Sequence, residues 1–105
     1  MASPLDKLNC KVFAEHLHTN FKIHLDGATP VLLELTAANE GEPSPRVEMF
    51  SLWFLGPQAP RLKQQIYHFE HEKLGAFDLF LTAIRAEAEG ILYEAVFNRF
   101  RKETS

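Results

Sequence analysis

The chain carries one cysteine, Cys10, in 105 residues. A single thiol can form neither an intrachain disulfide framework nor a cysteine-rich zinc site. Glycine is also sparse, at five. The turn glycines in Gly56-Pro57 and Leu74-Gly75 stand alone rather than in a phosphate-cradling loop. The longest apolar runs are four or five residues, far short of the roughly 20 that a membrane-spanning helix needs. Met1 to Lys7 shows no apolar stretch after a basic start, so no signal peptide is expected and a soluble, cytoplasmic, most simply bacterial protein is the reading. Positive charge is lacking as well: 11 Lys and Arg stand against 14 Asp and Glu, a net charge of −3. Neither half is basic, and the one basic cluster, Arg99, Arg101 and Lys102, lies in the 99–105 tail. A nucleic-acid backbone would find no electrostatic footprint here.

What the chain does have is phenylalanine, nine of them, with two tyrosines and one tryptophan. Their placement follows two periods. Ser3-Pro4-Leu5-Asp6 looks like a capped helix start, and Leu5, Leu8, Val12, Phe13 and Leu17 recur at near-helical spacing, which predicts a helix over about 4–17. From Phe21 the period becomes two. Strands are expected at about 21–26, 30–38, 47–55, 65–70, 76–84 and 91–98, separated by Gly-, Pro- and charge-rich turns. No connection is long enough for a crossover helix, so the sheet should be antiparallel. The expected architecture is one mainly β domain over 1–105. Its six antiparallel strands form a meander, closed as a small barrel or split as a sandwich, with one N-terminal helix.

The third strand is apolar on both faces. Phe50, Leu52 and Phe54 share one; Met49, Ser51, Trp53 and Leu55 share the other. Leu32, Phe80 and Val96 also lie opposite their strands' main stripes. Such a surplus is either buried within the chain or covered by a partner. Met49, Trp53, Leu55 and Phe80 are therefore the candidate interaction surface, for a second copy or another protein.

Catalytic signals are absent. Ser51 is not in a G-x-S-x-G elbow, and Cys10 reads as an inert, partly buried thiol. His16 and His18 form an H-x-H pair, but Lys22 and Ile23 stand where a metal motif of that kind needs glutamate. His24, His68, Glu70 and His71 make a second grouping, the alternative reading of a barrel that binds a ligand or metal. Strand alternation puts His71 on the face opposite His68, which weighs against a shared site. No enzyme and no cofactor is expected.

Three segments in order carry a resemblance: F-S-L-W-F-L-G-P from Phe50 to Pro57; Leu62, Gln65, Tyr67, Glu70, His71, Leu74 and Gly75 followed by L-F-L-T-A-I; and Y-E-A-V-F-N-R from Tyr93 to Arg99. Over about Cys10 to Arg99 the chain resembles a family of small bacterial proteins known only as a domain of unknown function. Ala83 departs from it, because proline often stands there. The resemblance implies a non-enzymatic structural or protein-interaction role, accessory to phage-tail-like assemblies. Within the shared motifs Glu70, His71, Glu94 and Asn98 are the polar exceptions. They are the candidate polar site, either fixing loops or forming a recognition surface.

Overall fold

A computed structural model describes residues 9–25, 27, 29–41 and 47–100, with Arg99 and Phe100 by backbone alone. A five-residue helix α1, Cys10–Ala14, leads into six strands: β1 Asn20–His24, β2 Val31–Glu40, β3 Val47–Gly56, β4 Gln65–His71, β5 Gly75–Glu87 and β6 Gly90–Phe100. The protein is mainly β, and all six strands are antiparallel to their neighbours and close into one barrel.

The ring order is β1-β2-β3-β6-β5-β4. Two three-stranded meanders are thus joined along two seams. The β3–β6 seam is long, running from Val47↔Phe100 to Gly56↔Ile91. The β1–β4 seam has only Lys22↔Glu70, Ile23↔Phe69 and His24↔His68. Between the meanders, the 57–64 connection carries the chain from β3 to β4, which are not neighbours. Closure removes the unpaired edges that an open six-stranded sheet would present.

The expected helix is shortened, and its 4–8 portion lies outside the described residues. Asn9 is extended, and its side-chain oxygen accepts the Val12 N–H at 2.9 Å. An asparagine in that role caps a helix beginning at Cys10. At the other end α1 stops at Ala14, and His18 takes a left-handed φ of 65° to swing the chain into β1. The predicted strands all form. β5 is longer than expected because it accommodates a bulge between Ala83 and Arg85; β2 has another between Leu35 and Ala37. An extra residue there bends the strand and tightens the curl a small barrel needs.

Alternation turns the large residues inward. Phe21, Ile23, Leu33, Leu35, Leu52, Phe54, Phe69 and Leu81 are fully enclosed. One end of the barrel is plugged by Phe13 of α1, whose ring lies 5.8–6.4 Å from those of Phe97, Phe77, Phe50 and Phe21. At the other end the 57–64 loop is held by tyrosines. Tyr93 Oη accepts the N–H of buried Leu62 at 2.9 Å, and Tyr67 Oη donates to the Lys63 carbonyl at 2.7 Å. At the β5–β6 turn Gly90 has φ 154°, and a Cβ there would strike the Gly56 carbonyl. Only glycine fits that backbone approach.

Candidate functional site

The outer surface of the barrel is built from the residues that alternation turns away from the core. On β4 these are Ile66, His68 and Glu70; on β5, Asp78 and Phe80; on β6, Glu94, Val96 and Asn98; on β3, Met49, Ser51 and Trp53. Register decides which of them meet. Ile66 is directly opposite Phe80. Val96 is opposite Ser51, and Met49 is one outward position further along β3. Thr82 pairs with Glu94, which puts Phe80 and Val96 each two residues beyond that pair on neighbouring strands. The result is an apolar stripe crossing four strands. Ile66 is 64% exposed, Val96 59%, Phe80 50% and Met49 41%.

Of the four residues proposed from sequence as an interaction surface, Met49 and Phe80 lie in this stripe. Trp53 borders it and is half-buried. Its indole N–H donates to Glu94 Oε2 at 3.0 Å, and the Arg85 guanidinium lies 6.0 Å from the ring centroid. Those contacts hold the ring against the barrel. Leu55 lies elsewhere. It lines an open groove of about 730 Å³ with Leu32, Pro30, Pro57 and Pro60. Ile66 was not among the predicted residues, although the alternation Ile66-His68-Glu70 against Tyr67-Phe69-His71 carried the signal.

The polar residues divide between surface and interior. Across the β1–β4 seam, the His24 ring N–H donates to Glu70 Oε1 at 2.7 Å, and between β4 and β5, His68 Nδ1 donates to Asp78 Oδ1 at 2.8 Å. The two imidazole centroids are 5.5 Å apart. The hydrogen bond from His24 holds the Glu70 carboxyl below the usual carboxylate range. Desolvation, the next largest effect, opposes this, and the charges of His24, Lys22 and His68 act with the hydrogen bond. Asp78 was not foreseen as a partner because it belongs to the β4–β5 register, His68↔Asp78.

The expected grouping of His24, His68, Glu70 and His71 does not form. The first three come together, but His71 follows the inward parity of Tyr67 and Phe69 and is buried. Among the described residues no set of three or more His, Cys, Asp and Glu side chains is arranged to hold a metal ion. The polar set Glu70, His71, Glu94 and Asn98 is likewise dispersed. Glu94 and Asn98 are on β6, separated by β5 from Glu70 on β4, and His71 is inside.

His71 instead fastens two turns. Its Nδ1 accepts the backbone N–H groups of Lys73 at 3.0 Å and Leu74 at 3.1 Å. Its Nε2 meets Thr19 Oγ1 at 2.9 Å, and that hydroxyl donates to the His16 carbonyl at 2.6 Å. The threonine hydrogen is therefore committed, so Nε2–H donates to Thr19 and the pair is not a nucleophile and base. Burial, helped by the neighbouring His16, pushes the His71 imidazole below its ordinary range. Desolvation likewise raises the Cys10 thiol, as do the charges of Glu40 and Glu48. A thiol held protonated is a poor nucleophile.

No described helix is long and apolar enough to cross a membrane. No curated protein and no solved structure matches the chain. A family model, Domain of unknown function (DUF6916), matches residues 8–97. It spans the helix, nearly all of the barrel and every polar pair above. The chain belongs to this family of domains of unknown function.

Proposed function

We propose that the protein is a non-enzymatic interaction module, a closed barrel that docks another protein on the outer face of β4, β5, β6 and β3. The observation that carries this reading is the stripe Ile66, Phe80, Val96 and Met49, which no described residue covers. Scattered exposed apolar side chains are ordinary, whereas contiguous ones on a flat strand surface mark contact sites. The surroundings fit a docking face. Asn98 and the His68–Asp78 pair lie on one side, with Trp53, Glu94 and Arg85 on the other. An apolar centre with a polar rim is the usual anatomy of a protein interface. The interior supports the same reading, because phenylalanine rings in mutual contact fill the space in which a small barrel would hold a ligand. Within this reading, a phage-tail-like assembly, the setting implied by the family resemblance, is where a partner should first be sought.

The test uses the doubly charged variant Ile66→Glu/Phe80→Glu, because both positions are exposed and their change should leave the fold intact. Light scattering after size exclusion would compare parent and variant with the 12.0 kDa chain mass. Tagged parent and variant would also be used to capture proteins of the native source. Loss in the variant of an assembly or a partner that the parent forms is the expected result. A monomeric parent that captures the same proteins as the variant would defeat the proposal.

A further inference from the structure

Apart from the tyrosine hydroxyls and the Cys10 thiol, His71 is the one buried polar or charged side chain among the described residues. Its hydrogen bonds permit one protonation state. Two backbone N–H groups point at Nδ1, and a peptide N–H cannot turn acceptor, so Nδ1 must keep its lone pair. Adding a proton there sets three N–H groups against one another, and both bonds to the 72–74 turn must break. Nε2–H continues through Thr19 Oγ1 to the His16 carbonyl, so the same ring also steadies the turn between α1 and β1. It packs 4.4 Å from the Phe21 ring and 5.0 Å from His16. We propose that His71 is an acid-labile latch. Protonation of Nδ1 breaks both bonds to the β4–β5 turn and displaces the ring, which then no longer steadies the α1–β1 turn through Thr19, so that mild acid loosens α1 and unplugs the phenylalanine-filled end of the barrel.

The charges around the ring set the direction. His16 faces it from the α1–β1 turn, and Glu72 and Lys73 flank it in its own turn. Lys22 and Glu70, on β1 and β4, border the adjoining hollow. Burial dominates and opposes the imidazolium, with His16 and Lys73 acting in the same sense and Glu72 against it. The folded ring therefore binds its proton later than the opened chain does. The latch is complete above the ordinary histidine value of about 6.5 and is lost as pH falls below it.

Cys10 supplies the readout. It is the single thiol, the first residue of α1, and buried. Its modification rate by 4,4′-dithiodipyridine, which reacts with thiols in acid, would be divided by the rate for the denatured chain at the same pH. For one proton bound only in the open form, protection should fall by about tenfold between about pH 7.5 and 5.5. His71→Asn offers an amide oxygen to the same turn but no titrating nitrogen, and its protection should change less than about twofold. Hydrogen exchange at the Lys73 and Leu74 amides of the parent should follow the same tenfold course, and it decides the matter should His71→Asn not fold. Unchanging Cys10 protection in the parent, an equal fall in His71→Asn, or flat exchange at Lys73 and Leu74 would overturn the latch.

Discussion

The plugged end of the barrel and its outer stripe are made of the same kinds of residue. At the plugged end Phe13, Phe21, Phe50, Phe77 and Phe97 are all buried, with ring centroids as close as 4.3 Å. On the outside Ile66, Phe80, Val96 and Met49 form a row of similar hydrophobicity that no described residue covers. The first set removes nearly all of its apolar surface from water on folding, whereas the outer row leaves 41–64% of each residue exposed, so the first set supplies most of the stabilisation. A strand of this fold needs apolar residues on its inner face alone, and polar ones would serve outside. Under the docking proposal, these large side chains serve a contact outside the chain.

Truncation separates the two regions. Phe13→Ala removes the ring on which four others converge. It should cost about 3–5 kcal/mol in urea denaturation, as large-to-small changes in filled cores do. A loss under about 1 kcal/mol would mean that the plug is not part of the cooperative core. Trp53 lies between the regions, and its replacement sharpens the boundary. Trp53→Phe deletes the N–H that Glu94 accepts, which should cost about 1 kcal/mol while leaving any assembly intact. Lost assembly at unchanged stability would instead move Trp53 into the docking surface. The smallest effect is expected at Phe80→Ser, within about 0.5 kcal/mol of the parent by thermal or chemical denaturation. A much larger loss there would show that the outer stripe is part of the core, and the comparison would collapse.

Much of the fold was legible in the sequence because a strand's period of two is a local property. Val31-Leu33-Leu35 and Phe77-Leu79-Leu81 announce their inner faces without reference to any other segment, and all six residues are buried. Phe80 and Val96 could be recognised as outward for the same reason. Asn9 carries capping chemistry inside the apolar period, and only the path of the chain into the barrel shows that it caps the described turn, while Ser3-Pro4 lies outside the described residues. His71 was ambiguous because its role depends on Thr19, 52 residues away, as much as on its own turn.

By itself, then, the sequence determined the class of the protein: antiparallel β, built around large rings, without the charge or cysteine chemistry of many other classes. Tertiary structure alone decided that β3 pairs with β6 and β1 with β4. It thereby decided that Ile66 meets Phe80, that His68 finds Asp78, and that Trp53 is tied to Glu94. The physical reason lies in range. Inward or outward direction follows from backbone geometry within a few residues, whereas cross-strand neighbours are set by how the whole chain closes on itself.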